Sequence, residues 1–522
     1  VFFLTSSELD DAFSAIEHHG YSAMLPDPPE WKVVSDRWTE VRSAIEGIDL
    51  DTYTPNKVMR VFAPKNRANI RVTHLLHPQD LLIYTALVLI VKDDIESSRI
   101  SKRSQRVFSY RAEIGNNKTL YGIRGAYDKY REQLTLKAQS EKFMFVGVAD
   151  IADFYPRIYQ HRLENIIETV ANSQRIRDVA RVLVKKLISH LMERNSYGIP
   201  VGPYASRLLG EAILIDVDST LEASGANFVR WVDDYNIFCK TEHEAQAILF
   251  TLGECLFTNH GLTLQSAKTK IFPVDQYKVE VLHRHEAQLT GRDAVVDILR
   301  NFSTGYEGYE EDEPEEHEIE ETLALLQAID LKGMLERSLE DTALVDYEAV
   351  SYVLKKIPRI PGVSSTLKRQ ILDLIIDNIE LLYPVAEQIS HYVLSFDDLT
   401  KREKKNIAKK LLKPLKVKKN KPPAFYAMWI LSIFSSGAEW GHAKEILPIY
   451  LESISEVIKR YAVLAIHVNG NRAEAVAVKD DYSTASPLLK MAILFLSRKL
   501  GQDERKHWKL SNGVSGGVEK LI

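Results

Sequence analysis

The pattern of apolar and polar positions changes character once along the chain, near residue 300. Ahead of that point, short runs rich in Val, Ile, Phe and Trp predict strands that alternate with helices. Residues 143–149, Phe-Met-Phe-Val-Gly-Val-Ala, read as a buried strand that ends on Asp150 and is followed by the aromatic pair Phe154 and Tyr155. Residues 228–238, Phe-Val-Arg-Trp-Val-Asp-Asp-Tyr-Asn-Ile-Phe, read as a hairpin with Asp233 and Asp234 at its turn. A second hairpin is predicted across Phe62 to Thr73, and the apolar run Leu81 to Val91 predicts a buried helix about half the length needed to span hydrocarbon. Gly198 to Leu209 reads as a Gly/Pro loop opening a helix. Beyond residue 300 nearly everything is helical: Glu318 to Ser338, Tyr347 to Ile357, Ser365 to Leu382, Ala424 to Ser435 and Ser486 to Leu500 carry apolar residues at helical spacing. These stretches come in pairs without a strict period, which suits a divergent helical solenoid.

Two adjacent carboxylates inside an apolar hairpin cost stability, so they call for a chemical reason. A lone Asp after a strand is usually a turn former, but here Asp150 arrives at the end of a second strand and gives Asp233 and Asp234 a partner. Nucleotidyl transfer by paired metals needs cations roughly 3.5–4 Å apart, held where they meet the attacking hydroxyl and the leaving pyrophosphate. A site of few carboxylates, completed by water and phosphate oxygens, suits Mg²⁺.

The order of these elements resembles the reverse transcriptase family over roughly residues 55 to 275. The resemblance rests on Asp150, the aromatic Tyr155, the loop Gly198 to Gly202, the turn Trp231 to Asp234, and the segment Gly261 to Thr269. It implies an α/β (α+β) palm and fingers followed by an all-α, HEAT-like C-terminal domain. The boundaries fall at 1–140 for N-terminal helices and fingers, 141–300 for the palm, and 301–522 for the helical part. It implies that Asp150, Asp233 and Asp234, with Ile151 beside them, hold two Mg²⁺ or Mn²⁺ ions. Lys268 then approaches the leaving pyrophosphate, Arg71 and Lys65 take the triphosphate with Gly202, and Tyr155 packs under the sugar and selects deoxynucleotides. Two positions depart from the family pattern: Val201 stands where Gln is usual, and Trp231 replaces a Tyr beside the primer terminus. Within the family, the chain looks most like the bacterial abortive-infection (AbiK-type) phage-defence reverse transcriptases. That likeness implies a cytoplasmic homo-oligomer that makes single-stranded DNA without a template, joined to a Tyr of the protein. Tyr21, Tyr53 and Tyr110 are the tyrosines considered for that role. Conventional RNA-templated synthesis is the alternative, and a degenerate nucleic-acid-binding scaffold is a third reading.

Composition narrows the setting. A chain of 522 residues, 45% hydrophobic, has ample material for several domains, and its net charge of −5 argues against broad nonspecific duplex binding. The only cysteines, Cys239 and Cys255, exclude a disulfide framework or a Cys metal cluster. The opening residues carry no signal-peptide pattern, and the histidine pairs His74/His77 and His283/His285 lack further ligands for zinc. Asp216 and Asp218 read as surface or capping residues. Arg103, Arg106 and Arg111, interleaved with Phe108 and Tyr110, form a candidate nucleic-acid-binding cluster together with Trp231. Glu307 to Glu321 holds ten acids, a solvated boundary or an acidic mimic of nucleic acid, and the ten lysines from Lys401 to Lys421 supply charge of opposite sign.

Overall fold

The computed structural model describes residues 1–65, 69–122, 125–282, 331–340, 345–417, 421–514 and 517–522. The acidic stretch 307–321, the pair His283 and His285, Arg67 and most of the first C-terminal amphipathic stretch lie outside the described residues.

Helix α1 (Ser6–His19) begins with a capping box, Thr5 and Glu8 bonding reciprocally across its first turn. It packs on the long buried helix α4 (Pro78–Ser98), while α2 (Pro29–Asp36) and α3 (Trp38–Glu46) flank them. Between α3 and α4 lies the antiparallel hairpin β1 (Met59–Pro64) and β2 (Ile70–Leu75). The predicted apolar run therefore forms the middle of α4, whose residues Leu81 to Leu89 are all buried.

A four-stranded antiparallel sheet follows, in the order β4-β5-β3-β6, from β3 (Phe145–Asp150), β4 (Phe228–Trp231), β5 (Asp234–Cys239) and β6 (Lys270–Pro273). The helix Glu242–His260 covers it. Gly147, in the middle of β3, lets that helix approach: a Cβ there would lie 3.2 Å from Leu249. Helix α5 (Ala126–Gln139) packs by β4 and β5, and its Tyr130 hydroxyl accepts from Asn236 Nδ2 at 3.0 Å.

From Leu331 onward every described element is helical. Alternate helices form two layers. The layer Tyr347–Lys356, Ala386–Leu394, Ala424–Ser435, Glu456–Asn469 and Pro487–Leu496 packs neighbour on neighbour. Leu331–Glu340, Ser365–Asp377, Lys401–Leu412, Ala443–Glu452 and Arg472–Lys479 lie alongside as the second. Successive helices of the first layer start at intervals of about 40 falling to about 30 residues, the range of helical repeats, and that drift hides the period in the sequence. Two of them, Ala424–Ser435 and Glu456–Asn469, pack directly on β1. A buried bidentate pair, Glu30 with Arg460 at 2.7 Å, ties α2 to the same layer.

The lysine run begins on the second-layer helix Lys401–Leu412, and four of its lysines are matched by acids on neighbouring elements. Lys410 reaches Asp377 at 2.6 Å, Lys413 reaches Glu380 and Lys404 reaches Glu439 at 3.0 Å, and Lys416 pairs with Glu445. These four pairs bind one repeat to the next. Cys239 and Cys255 are free thiols. Among the described residues no helix is long and apolar enough to cross a membrane.

Candidate metal-dependent active site

Strand β3 ends on Asp150, directly opposite Asp234 in the register of β5, so both side chains leave the same face of the sheet. Asp233 sits in the turn between β4 and β5. Carboxylate oxygens of Asp150, Asp233 and Asp234 all lie within 4.8 Å of one another. Asp150 is 7% exposed and the other two are half-buried. Burial and the nearby Asp150 push the Asp233 carboxyl above its ordinary range, and burial with Asp233 and Asp150 does the same to Asp234. Lys268 Nζ stands 2.9 Å from Asp150 Oδ2; burial opposes its charge, but the carboxylates outweigh it and raise its pKa. This donor set consists of hard oxygens crowded beyond what a single lysine neutralises, and it fits Mg²⁺ or Mn²⁺. Ions held there would supply Lewis-acid activation and charge neutralisation for phosphoryl transfer.

The turn that presents these carboxylates is strained. Val232 has φ of 53°, a left-handed conformation that β-branched residues rarely adopt. Such strain persists only where the surroundings over-determine it, and here they do. The Val232 N–H donates to Ser109 Oγ at 2.9 Å, its carbonyl accepts from Arg230 Nη1 at 2.6 Å, and the Asp233 carbonyl accepts from the Ile151 N–H at 3.2 Å. Ser109 Oγ in turn donates to Glu211 at 2.6 Å. Glu211 also receives Arg99 at 2.5 Å and Arg230 at 2.9 Å, and Arg230 reaches Asp218 at 2.5 Å. Burial opposes the Glu211 charge, yet Arg230 and Arg99 beside it pull its carboxyl below the usual range. Sequence reasoning missed this scaffold. Its signal was present as single charges, Arg230 and Glu211, in otherwise apolar segments.

Around the carboxylates, the loop Gly198 to Pro203 docks on β2. The Val201 N–H donates to His74 Nδ1 at 3.0 Å and the His74 N–H donates to the Val201 carbonyl at 2.7 Å. Burial, with Arg60 nearby, lowers the His74 pKa to about 4, so the ring is neutral and free to accept. Gly202 is required at this contact: its φ is +122°, and a Cβ would lie 3.1 Å from Ser22 Oγ and 3.2 Å from the His74 carbonyl. Tyr155 packs over Gly210, where a Cβ would meet its ring at 3.0 Å, and its buried hydroxyl has no hydrogen-bond partner among the described residues. Arg71, exposed on β2, is close enough for its charge to favour ionised Asp233. Lys65 is exposed at the hairpin tip, where its N–H donates to the Asn69 carbonyl at 2.9 Å. Ile151 is buried and bridges to Leu264.

Residues 64–287 match the family model "Reverse transcriptase (RNA-dependent DNA polymerase)". This segment is a reverse transcriptase domain. The family it matches is one of nucleotidyltransferases, the RNA-directed DNA polymerases. Among solved structures it is similar to telomerase from Candida albicans in complex with a TWJ fragment of telomeric RNA, at 11% identity and a TM-score of 0.30. That match covers 79% of this chain and 65% of the other. It is also similar to apo telomerase from Candida tropicalis, at 11% identity and a TM-score of 0.32, over 77% and 73% of the respective chains. No curated protein matches the chain.

Several residues expected to meet nucleic acid are instead built into the reverse transcriptase domain. Trp231 is 1% exposed, ringed by Tyr110, Tyr127 and Tyr130. Arg111 is paired with Glu96 at 2.9 Å, and burial, with Arg99 beside it, lowers its pKa to about 10. Arg106 reaches Glu222 at 2.9 Å and lies over the Phe228 ring, which leaves Arg103 as the exposed arginine of that cluster. Asp218, read as a surface or capping acid, is buried against Arg230, and the half-exposed Asp216 accepts from His260 at 2.8 Å. The candidate priming tyrosines are also committed. Tyr21 and Tyr110 are buried, the Tyr21 hydroxyl donates to the Leu76 carbonyl at 2.7 Å, and that of Tyr53 donates to Asp80 at 2.6 Å.

Proposed function

We propose that the chain is a metal-dependent DNA polymerase that adds deoxynucleotides at Asp150, Asp233 and Asp234. The observation that carries this reading is the convergence of the three carboxylates within 4.8 Å on one sheet face, with Lys268 bonded to Asp150. In this reading residues 141–300 are the palm, the carboxylates and Ile151 hold two divalent ions, and Lys268 neutralises the departing pyrophosphate. Arg71 and Lys65 meet the triphosphate on the open side, and Gly202 keeps the loop close to it. The unbonded Tyr155 ring offers the steric floor that would reject a ribose 2′-hydroxyl.

The finer assignment is to the abortive-infection, AbiK-type group, acting in phage defence as a homo-oligomer in the bacterial cytoplasm. The two-layer helical array after the polymerase domain and Val201 in the loop support it. Val201 holds the loop by its backbone alone, and its isopropyl group cannot hydrogen-bond a base pair. That favours template-independent, protein-primed synthesis. The burial of Tyr21 and Tyr110, and the bond from Tyr53 to Asp80, direct the search for a priming residue to exposed tyrosines such as Tyr197, which is 49% exposed.

Incubation with labelled deoxynucleotides and Mg²⁺, with and without RNA template, followed by protease digestion, tests both levels. Label joined to protein without template supports the full proposal. Free DNA whose sequence follows the template identifies a conventional reverse transcriptase, and absence of label contradicts polymerase activity.

A further inference from the structure

Among the described residues the buried arginines are matched by carboxylates: Arg99 and Arg230 by Glu211, and Arg460 by Glu30, all within 2.9 Å. Arg207, half-buried, is different. It is the third residue of the helix Ala205–Ile213 that follows the Gly/Pro loop, and among the described residues no carboxylate lies within ion-pair distance of it. Its guanidinium instead lies over the rings of Tyr204 at 4.7 Å and Tyr110 at 5.2 Å, and its one side-chain hydrogen bond is a long contact of 3.5 Å to the Tyr121 hydroxyl. Burial works against the charge, while Tyr110, Tyr121, Tyr204 and Tyr155 all favour it. Ring faces steady a cation but satisfy few of the five in-plane N–H donors of a guanidinium. Most of this donor fork is therefore left for an anion.

The position of the fork says which anion. Arg207 and Gly210 lie on one face of their helix, three residues apart, and Gly210 is where Tyr155 packs. Tyr155 and Tyr110 each feel the charge of both Arg207 and Asp233, so the cage borders the carboxylate site. An anion held there would lie beside the strained catalytic turn, and a planar bidentate donor suits a phosphate oxygen pair.

We propose that Arg207, held in its tyrosine cage, is a phosphate-binding residue of the cleft, taking either a phosphodiester of a nucleic-acid strand or a phosphate of the nucleoside triphosphate. The proposal rests on the polymerase reading for the identity of the ligand, but binding tests it without catalysis. The full chain and its Arg207→Gln and Arg207→Lys variants are titrated in EDTA with a fluorescein-labelled oligothymidylate over a salt series. Binding of dATP is measured in parallel by equilibrium dialysis with Ca²⁺. Loss of one charge-assisted contact weakens the ligand it served by about tenfold. If that ligand is the strand, the slope of log affinity against log salt also falls by about 0.7 in Arg207→Gln and is kept in Arg207→Lys. Weakening of the oligonucleotide alone assigns the strand, and weakening of dATP alone assigns the triphosphate. Wild-type affinity for both ligands in Arg207→Gln, at an unchanged melting temperature, overturns the proposal. Should that variant not fold, wild-type affinity for both ligands in Arg207→Lys overturns it, because a lysine lacks the bidentate fork. Asp150→Asn serves as the control for catalysis: it is expected to lose nucleotide incorporation and keep the oligonucleotide affinity, so failure of one reading is not mistaken for failure of the other.

Discussion

Ser109→Ala is the sharpest probe of how the turn that carries Asp233 and Asp234 is held. The hydroxyl bridges the Val232 N–H at 2.9 Å and Glu211 at 2.6 Å, and its loss orphans the N–H of a residue only 6% exposed. A buried donor left without a partner costs about 1–3 kcal/mol, and Glu211 also loses one charge-assisted donor. Relaxation of Val232 from its positive φ would recover part of this, since such strain stores about 1–3 kcal/mol. The two effects trade against each other: a turn that stays put shows the full stability loss, and a turn that relaxes spares stability but moves Asp233 and Asp234. With a net loss near 2 kcal/mol, the melting transition of a domain of this size should fall by about 4–8 °C. Any relaxation of the turn should appear as at least a tenfold drop in Mg²⁺-dependent incorporation, about 1.4 kcal/mol in the barrier. Differential scanning fluorimetry and a steady-state incorporation assay read the two outcomes. Ser109→Ala with wild-type melting and wild-type incorporation would refute the bracing role.

Other consequences are open to measurement. His74 is neutral in the fold with a pKa lowered to about 4 from 6.5, so its contribution to stability is complete above pH 6.5 and is lost as pH falls towards 4. The slope is about 1.4 kcal/mol per pH unit; His74→Asn should flatten the acid limb of the stability curve in that window, and an unchanged limb counts against the loop clamp. Tyr155→Val should narrow the preference for dATP over ATP by about tenfold, equal to ~1.4 kcal/mol, and an unaltered ratio argues that the ring does not meet the sugar. Glu30→Gln leaves the fully buried Arg460 uncompensated, at a cost of about 3–5 kcal/mol. Replacing both partners by apolar residues should recover much of the lost melting temperature, and failure to do so would show that the pair does more than neutralise itself.

The carboxylate trio and the elements that carry it were legible because two periodicities were interrupted at the same chemistry. A strand ended on Asp150, a hairpin turned on Asp233 and Asp234, and the structure sets Asp150 opposite Asp234 in register. The helical half was legible as amphipathic stretches, but its two-layer order was not, because the repeat interval drifts along the chain. Basic residues misled most. Arg106 and Arg111 read as nucleic-acid contacts, yet they pair with Glu222 and Glu96, and Lys404, Lys410, Lys413 and Lys416 pair with acids on neighbouring helices. Charge alone does not show whether its counter-ion is water, nucleic acid or the protein itself. Trp231 misled for a related reason, since its place beside the acidic turn suggested contact with a primer while the surrounding tyrosines bury it. Arg207 reads in the sequence as one residue of the segment Gly198 to Leu209, because the lack of a carboxylate partner among the described residues is a property of three dimensions.

Incorporation of labelled deoxynucleotide by the wild-type chain and by the double variant Asp150→Ala/Asp233→Ala, measured over a Mg²⁺ series, tests the central claim most directly. Both side chains lie in the carboxylate cluster at the end of the central strands rather than in the apolar core, so the variant should fold and melt no lower than the metal-free wild type. The account predicts Mg²⁺-dependent incorporation by the wild type and none by the variant. Equal incorporation by the two would place the chemistry elsewhere and contradict it.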